Sequence, residues 1–250
     1  MTGATGISGC LLSQLFTTSA LSQADGQGQV QAQSPAAAPC GDQVLVLAGH
    51  DRIERVLEKF GVPHTLIRPL QLTDPLLSGA SHLFVNCGGA LPEGQAHKIA
   101  AWVEGGGRLM TTDWMACHLL QTGFRDEKGV PLVRHHNRLS TDESGVFAVT
   151  ETDWNDPAAG IFLRHGRQWK VVRCSYPVRI EDAEKVHVLA RSSHLGALSE
   201  GADTLFLRFT YGRGEVLHLT SHWYEQEFED RHPIDTSIEH RSLTFIRNLN

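Results

Sequence analysis

Residues 108–120, RLMTTDWMACHLL, decide how this chain folds. Leu109 and Met110 open an apolar run that reads as a buried strand, and Met115 to Leu120 read as the helix that follows it. Between them the backbone has to turn sharply at Thr112, Asp113 and Trp114. Such a turn lifts one side chain above the sheet, the place where several enzyme folds seat a nucleophile. Here that place falls to Asp113 or Trp114, and Cys117 comes one helical turn later.

Upstream, DQVLVLAGH (42–50) is a continuous apolar run of the kind a parallel strand shows when both its faces are covered. Asp51 and Glu54 fit a capping box, and Ile53, Val56, Leu57 and Phe60 follow helical spacing. PHTLIRP and SHLFVN read as two further strands. Ala96, Ile99, Ala100 and Val103 mark one face of a helix that Gly105, Gly106 and Gly107 end. The alternation of strands and helices argues for an α/β domain with three layers and a parallel sheet.

From about residue 125 the pattern changes. VFAVTETDW, QWKVVRCSYPVRI, KVHVLARS and DTLFLRFTYGRGEVLHLTSHW are strand-like and separated by Gly, Pro and Asp turns, and YGRG reads as a hairpin. DTSIEHRSLTFIRNL reads as a helix capped by Asp235 or Thr236. The expected fold is therefore a three-layer, flavodoxin-like α/β domain with a mostly parallel sheet. Antiparallel strands are added to it in the C-terminal half.

Residues 1–41 read differently, with no Lys or Arg and much Ala, Ser, Gly and Gln. They are expected to form a disordered or signal-like tail, with residues 42–250 as the domain. SALSQA before Asp25 resembles a cleavage site, TGATGISGCLL resembles the h-region of a twin-arginine signal, and ISGC resembles a lipobox. Export to the periplasm is the expectation, with a cytoplasmic location as the alternative.

Composition excludes several classes. A net charge of −6 without a basic run leaves no footprint for nucleic acid. No apolar stretch is long enough to span a membrane. The five cysteines, Cys10, Cys40, Cys87, Cys117 and Cys174, show no CxxC spacing, so no zinc ribbon or redox motif is expected. The fourteen histidines include His218 and His222 on one face of a strand, with Glu225, Glu229 and His232 behind them. No compact H-E-x-x-H or H-x-H accompanies them, and neither a metal nor another cofactor is expected.

Three stretches resemble the class I glutamine amidotransferase-like superfamily, in particular its divergent trehalose-utilisation-type branch. LFVNCGGALPEG resembles the strand-end glycine pair whose amides form an oxyanion hole, here Gly88 and Gly89. GGGRLMTTDWMACHLL stands where that family has its nucleophile elbow. YGRGEVLHLTSHWYE resembles the late hairpin that carries the catalytic histidine, here His222, with Glu225 nearby. The departures from the family are specific. Its active members carry G-x-C-x-G-x-Q at the elbow, and TTDWMACHLL lacks both the glycines and an elbow cysteine. A cysteine nucleophile needs a base in reach and donors at the reacting atom. One turn along a helix, Cys117 points elsewhere and reads as structural.

Asp113 at a strand's carboxyl end suits a base, a nucleophile, a ligand or a helix cap, and His222 a base, a ligand or a packed histidine. Asp113, His222 and Glu225 are the catalytic candidates. Asn86, Cys87, Gly88, Gly89, Trp114 and Trp223 are the ligand-binding candidates. Two functions remain open: a domain without glutaminase activity that binds a small molecule or a protein partner, and a hydrolase-like or carbohydrate-related enzyme using Asp113 and His222 over the Gly88–Gly89 loop. A homo-oligomer is compatible with either.

Overall fold

The computed structural model describes residues 11–16, 41–88, 91–140 and 143–228. The apolar runs of the N-terminal half form β1 (Gln43–Leu47), β2 (Thr65–Ile67), β3 (Ala80–Val85) and β4 (Arg108–Thr112). The sheet runs β2-β1-β3-β4 and continues through β12 (Gly214–Leu219), every neighbouring pair parallel. That is the flavodoxin-like order, in which ligands bind outside the carboxyl ends of the strands.

Alternation along each strand sends side chains into two separate cores. Val44, Val46, Phe84, Met110 and Leu217 face one of them, and Leu45, Leu47, Leu83, Leu109 and Val216 face the other. The first core is covered by the Ile53–Lys59, Pro157–Phe162 and Trp223–Phe228 helices, and the second by the Gln95–Glu104 helix and the Ala116–Leu120 π-helical turn. The architecture is a three-layer α/β fold with a mostly parallel sheet.

The antiparallel strands extend the sheet from β12. β11 (Thr204–Tyr211) pairs with β12 through the expected hairpin, β10 (Val186–Arg191) pairs with β11, and β7 (Glu151–Thr152) closes that edge. Gly212 turns the hairpin at φ 60°, and a Cβ there would sit 2.5 Å from the Glu104 carbonyl oxygen. β5 (Val133–His135) and β9 (Val178–Ile180) branch from β11, while β6 (Gly145–Ala148) and β8 (Gln168–Val171) form a separate ribbon.

Two expectations are corrected. Residues 11–16, expected within an unpacked tail, form a helical turn whose Leu11, Leu15 and Phe16 are buried in the first core. Apolar side chains at positions 11, 12, 15 and 16 give one helical face, which the tail's polar average conceals. Asp51 does not cap the helix after it, because Arg52, at φ 64°, turns the chain and directs the Asp51 carboxylate elsewhere. Asn86 supplies the missing cap, its Oδ1 accepting from the Ile53 N–H at 2.8 Å. The helix expected over residues 235–249, together with Glu229 and His232, lies outside the described residues.

Candidate functional site

Four adjacent parallel strands end on one side of the sheet, and each delivers a polar residue there. β1 leads to Asp51, β3 to Cys87, β4 to Asp113 and β12 to His222. Register makes the gathering necessary: Leu219 pairs with Thr112, and the Asp113 N–H donates to the Leu219 carbonyl at 2.8 Å.

Asp113 is the residue at the elbow. Its φ is +47°, a left-handed conformation that Asp tolerates better than most side chains, and it is 1% exposed. Its Oδ1 accepts from the Tyr176 N–H at 2.9 Å, and its Oδ2 from the Ser175 hydroxyl at 3.1 Å and the Cys87 thiol at 3.6 Å. His222 Nε2 faces the same Oδ2 at 3.7 Å. Burial raises the Asp113 carboxyl to about 6, against the opposing pull of His222 and these donors.

His222 stands between carboxylates. Its Nδ1 lies 3.5 Å from Glu225 Oε1, and Glu225 Oε2 is 3.0 Å from Lys170 Nζ. Burial pulls the imidazole down, yet Cys87, Glu225 and the charge of Asp51 outweigh it and hold its pKa well above the ordinary histidine range. Among the described residues its buried Nε2 has no partner in hydrogen-bond geometry. Burial also raises the Cys87 thiol and the Asp51 carboxyl. Asp51 is wholly buried and accepts from the Trp223 and Tyr224 N–H groups at 3.0 and 2.8 Å, so it caps the helix that carries Glu225.

The structure thus brings together Asp113, His222, Glu225 and Cys87. Gly88 borders them at φ +83°, where a Cβ would meet the His50 ring at 1.8 Å; Gly89 lies outside the described residues. Trp114 lies beside them, its Nε1 donating to the Cys174 carbonyl at 2.8 Å and its ring touching His50 and Tyr176. Asn86 is committed to the Ile53 N–H and to Glu54 Oε2. Trp223 requires correction: it is fully buried, stacked on Phe60 and edge-on to Phe162, with no face to offer a ligand. Trp223 opens the helix that covers the first core, and so its ring faces that core.

Asp51, Ser175, Tyr176 and Lys170 escaped the reading of the sequence. Only Asp51 carried a signal, its place just beyond the β1 strand. Two surface depressions of about 380 and 330 Å³ lie on the antiparallel side, around Val186–Val188 and Glu200–Asp203. Neither includes a strand-end residue of the cluster.

No protein-family profile matches the chain, and no curated protein matches it. Solved structures resemble it at low identity. A cytoplasmic protein from Salmonella typhimurium LT2 is 12% identical with a TM-score of 0.50, covering 72% of this chain and 88% of that one. A ThuA-like protein from Bacteroides uniformis ATCC 8492 is 9% identical with a TM-score of 0.47, covering 80% and 89%. A β-galactosidase from Rahnella sp. R3 is 14% identical with a TM-score of 0.46; the match covers 81% of this chain and 31% of that enzyme's length. At these identities the likeness concerns the fold.

Proposed function

We propose that this chain is a non-classical amidotransferase-like domain, without glutaminase activity, that binds a small ligand at the carboxyl ends of β1, β3, β4 and β12. One observation carries the reading: the elbow residue is Asp113, and its carboxylate is engaged by Tyr176, Ser175 and Cys87. Glutamine hydrolysis by this fold needs a thiolate at the elbow, free to attack and close to a base. Cys117 lies four residues further on, in the π-helical turn, and burial raises its thiol pKa, which disfavours the nucleophilic form.

The test is incubation with glutamine and with a thiol-directed glutamine analogue. No ammonia should be released and Cys117 should stay unlabelled. Stoichiometric labelling that Cys117→Ala abolishes would overturn the reading.

A second reading has its own support, because His222 stands between Asp113 and Glu225 in the order of a nucleophile, a base and an orienting acid. The domain would then be a hydrolase acting through Asp113. The near-complete burial of Asp113 weighs against it, since a nucleophile must reach its substrate. Turnover of chromogenic esters or glycosides that Asp113→Asn abolishes would establish this reading instead.

A further inference from the structure

We propose that Cys87, Asp113 and His222 form a binding site for a zinc-type divalent cation. The inference rests on the reading that these strand ends form the ligand site, and it names the group at the centre of that site.

The donor set is sulfur, carboxylate oxygen and imidazole nitrogen, the three atom types that zinc takes from proteins. The three donor atoms all lie within 4.8 Å of one another. Cys87 Sγ is 3.6 Å from Asp113 Oδ2, and His222 Nε2 is 3.7 Å from the same oxygen. Bonds of about 2.3 Å to sulfur and about 2.0–2.1 Å to nitrogen and oxygen, arranged tetrahedrally, place donor atoms roughly 3.3–3.6 Å apart. The sulfur–oxygen separation sits at the upper edge of that range and the nitrogen–oxygen separation just beyond it, so the donors would draw together by a few tenths of an ångström around an ion. A nitrogen–oxygen distance of 3.7 Å is too long for a hydrogen bond, and among the described residues the buried Nε2 has no partner in hydrogen-bond geometry. A buried polar atom in that state is costly to desolvate, and a bound cation would give the nitrogen lone pair a partner.

The surroundings match what orients metal ligands. A ligating histidine usually offers its other ring nitrogen to a carboxylate; here Nδ1 faces Glu225, which Lys170 holds in turn. Asp113 is fixed by the Tyr176 N–H on Oδ1 and the Ser175 hydroxyl on Oδ2, which orient the carboxylate toward Cys87 and His222. The three ligands come from the ends of β3, β4 and β12 in a parallel sheet, a rigid frame. With three protein ligands, the fourth tetrahedral position would be left to a water molecule.

The experiment uses the full chain, reduced and stripped with a chelator, titrated with Co²⁺. The expected result is one equivalent bound, with a thiolate-to-cobalt charge-transfer band and the strong ligand-field bands of four-coordination, both displaced by Zn²⁺. Cys87→Ser and His222→Gln should lose the charge-transfer band or the binding, while Cys117→Ser and Cys174→Ser keep both. Glu225→Gln should weaken Co²⁺ binding by about 10–100-fold. Where Cys87→Ser fails to fold, as judged by circular dichroism, His222→Gln and Asp113→Asn decide the matter. A folded wild-type chain that shows no band, or a band that survives folded Cys87→Ser, overturns the metal site. In that outcome, an absence of ammonia release from glutamine and an unlabelled Cys117 would leave the proposed function standing without the metal. Ammonia release or stoichiometric Cys117 labelling as well would remove both.

Discussion

Asp113 Oδ2 lies 3.7 Å from His222 Nε2, at the ends of two strands that pair in parallel. The geometry requires a residue at position 113 that tolerates φ +47° and accepts from Tyr176 and Ser175. Asn meets the first requirement and keeps one acceptor, so Asp113→Asn should fold with a loss of about 1 kcal/mol. Asp113→Ala leaves two buried donors unsatisfied and keeps the left-handed strain, at a cost of about 3 kcal/mol or more. Urea unfolding of the two variants checks the order. Combining Asp113→Asn with His222→Ala should give a non-additive change, as expected of groups in contact.

Asp51 ties the β1 end to the segment that carries His222 and Glu225. Removing its carboxylate frees the N–H groups of Trp223 and Tyr224 at the start of a short helix. Asp51→Ala should therefore cost about 2 kcal/mol, and Asp51→Asn less, because one acceptor remains. The informative readout is His222: its ring resonances should broaden or shift in Asp51→Ala although Asp51 makes no hydrogen bond to it. An unchanged His222 signal would show that the helix start is held by other contacts.

What the sequence disclosed follows from how each feature is encoded. The parallel half was legible because β1, β3 and β4 are buried on both faces and centre on the apolar runs VLVL, LFV and LM. The short helices Asp74–Ser78, Pro157–Phe162 and Ser193–Leu198 were not, since five or six residues carry too few turns to show a period. Asp113 and His222 could be named from their place after strands. The role of Asp51 could not, because a left-handed Arg52 reverses the direction that local spacing suggests. Cys87 joins the others only through the sheet, so no ligand spacing along the chain betrays the cluster.

Residues 11–16 offer a direct test of the corrected N-terminal segment. Leu15 is fully buried, Phe16 packs edge-on against Phe84, and the Leu15 carbonyl accepts from Arg208 at 3.0 Å. Leu15→Ala should cost about 2–5 kcal/mol and Phe16→Ala about 3–5 kcal/mol. A chain beginning at residue 17 should show both losses and a lower Tm. Retention of wild-type stability in that shortened chain would mean that the segment adds nothing to the core.

The pH dependence of stability should carry the mark of two buried histidines. His218 is fully buried, its Nδ1 paired with the Thr111 hydroxyl, and burial lowers its pKa to about 3. His82, beside Ser81 and Phe16 and facing Arg108, is lowered to about 4, chiefly by burial. Above pH ~6.5 both rings are neutral in the folded and unfolded chain alike, and neither contributes. Below it the unfolded chain takes up protons that the folded chain refuses, so stability falls as pH drops toward the folded values. Each ring contributes a slope of about 1.4 kcal/mol per pH unit across that window. The carboxyls of Asp51, Asp113 and Glu215, all raised by burial, act in the opposite sense, so the total is flatter than the histidines alone would make it. Substitution separates the contributions. His218→Asn keeps an acceptor for Thr111 and loses ring packing, so it should be less stable than wild type at pH 7. Between pH 6.5 and 4.5 the gap should narrow by about 2–3 kcal/mol, because the variant no longer bears the cost of a histidine kept neutral. Urea midpoints at those two pH values measure the change directly. A gap that stays constant would place the His218 pKa near its ordinary value and would mean that water reaches the ring.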